Sequence, residues 1–194
     1  MPASWSVERY TRLAIILHWI MALGIAALVI IGLLMVHGGL TPDAMFRLYQ
    51  LHKSIGITVL LAAVVRLAWR FSYRPPPLPQ TMPPREKAAA HAGHIMLYAT
   101  LFLIPLTGWA LVSSSVFGIP TVLYGLVPWP DLPVFSTLAD KAPVEAVLKT
   151  VHAYGAYALI ALVVLHVLAA LRHQFLLRDN IMARMLPRWG KSRP

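Results

Sequence analysis

Leu13-Ala-Ile-Ile-Leu-His-Trp-Ile-Met-Ala-Leu-Gly-Ile-Ala-Ala-Leu-Val-Ile-Ile-Gly-Leu-Leu-Met-Val36 runs for 24 residues without an Asp, Glu, Lys or Arg. A helix of that length covers ~36 Å, against the ~30 Å hydrocarbon core of a bilayer. The stretch reads as a membrane span. It is longer than the apolar core of a cleavable signal, and no Ala-x-Ala site follows it. Three further apolar segments stand at about Leu48–Trp69, Ala88–Val112 and Val147–Leu171. Together they predict an all-α integral membrane four-helix bundle, with residues 1–194 as one domain.

Composition agrees with that class. The chain is 58% hydrophobic and 12% charged, with a mean hydropathy of +0.67, whereas soluble domains carry about a quarter charged residues. The net charge of +10 does not point to nucleic acid, because the basic residues flank apolar runs instead of lining a groove with aromatics. They set topology and meet anionic lipid. Arg9, Arg12, Arg66, Arg70, Arg74, Arg85, Lys87 and six more from Arg172 onward fall on one side; Arg47, Lys53, Lys141 and Lys149 fall on the other. The bias places both termini of a multi-pass protein in the cytoplasm.

Two connections are long. Arg74–Pro84 holds six prolines and reads as an extended strap. Ser113–Ala146 is apolar and aromatic in its first half and reads as an interfacial cap over the bundle, with a binding lid as the other reading.

The absence of cysteine excludes disulfides, thiolate zinc sites, Cys-held iron–sulfur clusters and covalent c-type haem. Eight histidines in so apolar a chain then need explaining, because an ionisable residue inside a span is functional by default. His152 and His166 are fourteen residues apart in the last span. That spacing separates them by ~21 Å along a helix and leaves them within ~40° of one face. His18 lies at the depth of His166, and His52 at the depth of His152. Two facing pairs follow, His18 with His166 and His52 with His152. Gly56 and Gly155, one turn from the outer pair, would leave room for a flat macrocycle.

Paired imidazoles on facing helices suit six-coordinate haem iron. The rival readings are interhelical hydrogen bonds or a proton path, and a zinc or copper site, for which two His per level are too few. His94 is a candidate for a haem propionate or an alternative inner ligand, and His91 for a propionate or a water-facing residue. Arg66, on the His52 stripe at the inner level, and Lys53 at the outer level are propionate candidates or side chains that merely snorkel. His173, seven residues beyond His166, is a quinone-site candidate or a solvated helix-end residue. His37 reads as a loop residue.

As a set, Arg9-Tyr-Thr-Arg…Leu17-His-Trp, Leu51-His-Lys-Ser-Ile-Gly…Val65-Arg-Leu-Ala-Trp-Arg, His91-Ala-Gly-His, Pro105-Leu-Thr-Gly-Trp, Val151-His-Ala-Tyr-Gly…Leu165-His-Val and Arg178-Asp-Asn…Arg184-Met-Leu-Pro resemble the prokaryotic cytochrome b561 family. The resemblance covers essentially the whole chain. It implies four transmembrane helices, two non-covalent haem b groups with bis-His ligation and electron transfer linked to quinone. The family's ligand positions would fall on His18, His52, His152 and His166, and His173 would match a residue near its quinone site. One branch oxidises superoxide at the periplasmic face and reduces ubiquinone. The other functional expectation is a membrane-anchor cytochrome passing electrons between quinol and a partner dehydrogenase or periplasmic protein. A haem-free metal or proton transporter is the third.

Overall fold

In the computed structural model, residues 9–187 are described. Arg188, Lys191 and Arg193, counted above in the charge bias, lie outside the described residues, as do the ends of the 1–194 domain. Four long helices are α1 (Arg12–His37), α2 (Pro42–Ser72), α3 (Pro84–Ser113) and α5 (Ala142–Leu171). All four are long and apolar enough to cross a membrane. α2, α3 and α5 begin a few residues earlier than their apolar runs, and α1 one residue earlier. Thr11 and Thr41 accept hydrogen bonds from the amides of Ala14 and Ala44, a cap that contributes about 1 kcal/mol. Pro42 and Pro84 occupy first-turn positions where the missing amide proton has no intrahelical partner to lose.

The helices alternate in direction, so α1 starts and α5 ends at one face of the bundle, here the terminal face. The opposite face carries the long connection. Backbones pack most closely as α1 on α2, α2 on α3 and α3 on α5, which leaves the side between α1 and α5 wider. A side chain on Gly24 would meet Val59 at 2.8 Å, so the α1–α2 approach depends on that glycine.

The Pro-rich strap carries neither helix nor strand through residue 79 and turns near residues 80–82 before α3. The 113–146 connection is more ordered than an interfacial cap. It forms an antiparallel hairpin, β1 (Thr121–Leu123) with β2 (Val127–Trp129), then a short helix α4 (Pro133–Ser136). Tyr124 and Gly125 at its tip have positive φ, and glycine accommodates such a turn without strain. The hairpin lies along α2. Ser54 Oγ accepts from the Tyr124 amide at 2.9 Å, Thr58 and Tyr124 hydroxyls share a 2.7 Å hydrogen bond, and Lys53 and Gln50 both donate to the Pro120 carbonyl. These bonds let non-helical backbone sit beside a membrane helix. Sequence periodicity passes over such a short hairpin because its strands are three residues each.

Past Leu171 the last helix widens into a π-helical turn, Arg172–Leu177, and Arg178 and Asn180 take left-handed backbone conformations. The following segment folds back under the bundle. Trp19 Nε1 donates to the Met185 carbonyl at 2.8 Å, Arg9 donates to that of Leu186, and Arg184 donates to Pro77 of the strap at 2.6 Å.

Candidate functional site

α5 sets the frame, since it carries His152 and His166 on one nearly straight stripe. Toward the hairpin face, His152 meets His52 of α2 with ring centroids 6.2 Å apart; toward the terminal face, His166 meets His18 of α1 at 6.3 Å. The structure thus brings together both pairs expected from spacing. Two imidazoles sharing a direct hydrogen bond would have centroids ~5 Å apart, given an N···N distance near 2.9 Å. The observed spacings exceed that value, so each pair leaves a gap between its rings that a direct hydrogen bond does not fill. The planes within the pairs cross at 77° and 67°, so neither pair is stacked. His52 Nδ1 is buried without a hydrogen-bond partner.

The His52–His152 pair opens on a cavity of about 340 Å³. Its walls are apolar side chains of all four long helices, and Thr121 and Trp129 bring the hairpin into its lining. The connection therefore helps enclose the site. Gly56 also lines the cavity, with open space where a side chain would begin. Gly155 does not: its hydrogen faces Ile104 of α3 at close range, because that side of α5 is the packing face. The room expected there comes instead from Gly32 and Gly108, opposite His52 and His152.

Gly108 belongs to a cradle that the sequence did not reveal. Helix α3 presents the Ile104 carbonyl 3.1 Å from His152 Nδ1, with Thr107 Oγ1 at 3.2 Å. A ring whose Nδ1–H donates to a carbonyl keeps Nε2 as its free lone pair, the usual way a ligating histidine is oriented. A methyl on residue 108 would come within 2.9 Å of His152 Cε1. The available signal was Pro105-Leu-Thr-Gly, a break in helix-favouring residues in mid-span.

At the terminal level, His94 joins the pair, its ring 5.8 Å from His166. Arg66 donates to the Ala14 carbonyl at 2.7 Å, one turn below His18. Among the described residues, no group of three or more His, Asp or Glu is arranged to hold a metal ion. Lys53 is buried, hydrogen-bonded to Pro120 and placed 4.9 Å from the Tyr49 ring centroid, at the edge of the cavity. His91 is exposed, and His37 ends α1 instead of lying in a loop.

His173 sits in the π-helical turn with Nδ1 2.5 Å from Asp179 Oδ2. Asp179 also accepts from the Ile181 amide. Its role was missed because it lies outside every span; its isolation as an acid in a basic tail was the only hint.

The sequence profile of prokaryotic cytochrome b561 matches residues 9–188. The chain belongs to the prokaryotic cytochrome b561 family. It is 35% identical to cytochrome b561 homolog 2 of Escherichia coli K12 over 186 residues, covering 95% of this chain and 93% of that one. It is 31% identical to the probable superoxide oxidase CybB of Yersinia pestis, covering 93% and 97% respectively, and 27% identical to cytochrome b561 homolog 1 of E. coli, covering 94% and 99%. As a cytochrome b561 protein it is a multi-pass bacterial membrane protein of electron transfer, and the family implies b-type haem. The paired imidazoles fit that group.

Proposed function

We propose that this protein is a di-haem, quinone-linked oxidoreductase with both termini in the cytoplasm of a bacterial cell bounded by its inner membrane. The observation that carries the reading is the repeated ring spacing, 6.2 and 6.3 Å, at two depths of one helix. His52 and His152 would hold one haem b, His18 and His166 the other. Bound haem supplies one-electron redox chemistry.

The chain's own residues do the rest. The Ile104 carbonyl fixes the His152 tautomer, and the hairpin helps keep water from the cavity through Thr121 and Trp129. Arg66, Lys53 and His94 would donate to haem carboxylates. Lys53 and Lys149, both lining the cavity, give the hairpin end positive potential that attracts a small anionic reductant. Superoxide is the donor we favour, supported by the name of the Yersinia pestis relative. At the other end, His173 would donate a hydrogen bond to a ubiquinone carbonyl, with Asp179 holding the ring in place from its Nδ1 side.

Pyridine haemochrome quantitation tests the reading. Wild type should hold two haems per chain. His52→Ala and His152→Ala should each lose one, and His18→Ala and His166→Ala should each lose the other, distinguishable by reduced-minus-oxidised spectra. Loss of the same haem from His18→Ala and His52→Ala would break the pairing. Quinone reduction by the purified protein on addition of superoxide separates the enzyme from a membrane-anchor cytochrome.

A further inference from the structure

The terminal face holds a second, smaller cavity of about 50 Å³, between the start of α1, the end of α2, Tyr98 of α3 and the Pro-rich strap. Four arginines line it: Arg9, Arg66, Arg70 and Arg74. They come from three separate segments, so the cluster is a product of the fold. Among the described residues no carboxylate pairs with any of them; the acids that do pair with basic side chains take Arg47, Arg172 and His173. What the four have instead is neutral. Arg66 donates to the Ala14 carbonyl, Arg9 to the Leu186 carbonyl, and Arg70 lies 5.7 Å from the Tyr98 ring centroid. Four guanidiniums around so small a space repel one another unless an anion joins them.

The walls say which anion. Trp69 stacks on Tyr73 at 4.1 Å and donates to Thr11 Oγ1 at 2.8 Å, so two aromatic rings are fixed at the rim. Aromatic side chains of this kind mark the headgroup depth of a bilayer. Arg9 and Arg74 lie outside the helices, beyond the ends of α1 and α2, at the depth of lipid phosphates. Arg66 is the member that reaches inward. A basic recess between membrane helices is a recognised seat for anionic lipid.

We propose that this recess binds the phosphate of an anionic phospholipid, with Arg9, Arg70 and Arg74 as its donors and Trp69 and Tyr73 against the glycerol and upper chains. The shared chemistry is a phosphate oxyanion, and the source named here is the lipid.

The test uses the purified holoprotein in nanodiscs and in detergent. Native mass spectrometry should show phosphatidylglycerol retained in preference to phosphatidylcholine. Arg9→Gln with Arg74→Gln should weaken that retention at least tenfold while haem content stays at the wild-type value. Arg74→Gln alone, at an exposed position on the strap, keeps the test open should the double variant misfold, and should show a smaller loss. Arg47→Gln with Lys141→Gln removes the same charge from the other face and should leave retention unchanged. Equal retention by wild type and double variant would overturn the proposal. So would a loss of haem with lipid retention intact, which would give the recess to haem carboxylates, or stabilisation by inorganic phosphate equal to that by phosphatidylglycerol vesicles.

Discussion

Gly108→Ala probes the cradle of His152 without touching a histidine. The new methyl would lie 2.9 Å from Cε1 and 3.3 Å from Nδ1 of the ring, where ordinary contact begins near ~3.5 Å. The ring must retreat by roughly 0.6 Å or more. Its Nδ1 is already 3.1 Å from the Ile104 carbonyl and 3.2 Å from Thr107, so a retreat of that size carries both bonds toward ~3.7 Å, where neither survives. Overpacking costs about 1–3 kcal/mol, and replacing a mid-helix glycine with alanine returns up to about 1 kcal/mol. The net cost to folding is therefore about 0–3 kcal/mol, below the total stability of a typical domain, and the specific damage falls on the ring. Loss of an orienting partner lowers metal affinity by about 10–100-fold. The expected result is a folded protein of wild-type helicity by circular dichroism, with the His52–His152 haem depleted and the other retained. Gly93→Ala, with nothing near the added methyl, is the control and should hold both. A Gly108→Ala protein with two haems and unchanged spectra would refute the cradle.

Two further outcomes are expected. Gly56→Ala adds a methyl that meets no protein atom within 4 Å, so thermal stability before haem loading should be equal or slightly higher while occupancy at the hairpin-end pair falls; unchanged occupancy would mean the macrocycle does not lie over Gly56. Asp179→Asn removes the charge from the 2.5 Å contact with His173, and should leave haem content intact but slow quinone reduction by about tenfold, the scale of a charge-assisted hydrogen bond; a rate equal to wild type would make that pair a structural clasp of the tail.

What the sequence made legible was what helical periodicity can carry. Four apolar runs gave the spans, and the fourteen-residue interval from His152 to His166 gave two levels on one face, because a straight helix preserves both depth and direction. Depth matching then found His18 and His52. The hidden features depend on contacts between helices. Gly155 and Gly108 look equivalent in one dimension, yet the first packs on Ile104 and the second under His152, since the rotation of α3 against α5 decides which glycine faces a ring. The hairpin was hidden for a related reason: Ser54 and Thr58 hold it from inside a span, where they read as tolerated polar residues. Asp179 reaches His173 only because the helix widens at Arg172–Leu177 and the chain reverses through two left-handed residues.

The four long helices also divide the work unequally. α1, α2 and α5 carry the two ring pairs, while α3 contributes a member to neither. Yet α3 touches both levels, through Ile104, Thr107 and Gly108 beside His152 and through His94 beside His166. Pro105 stands next to Ile104, where that helix reaches the His152 level, and a proline there leaves one carbonyl of the preceding turn, on the His94 side, without its amide partner. A helix so interrupted can adjust one level without carrying the other with it. Substitutions on α3 should therefore change how the imidazoles are held, one level at a time, whereas substitutions on the other three remove them. In a protein of an electron-transfer family, the three ring-bearing helices set where the imidazole pairs stand, and α3 is where the surroundings of each pair can be tuned separately.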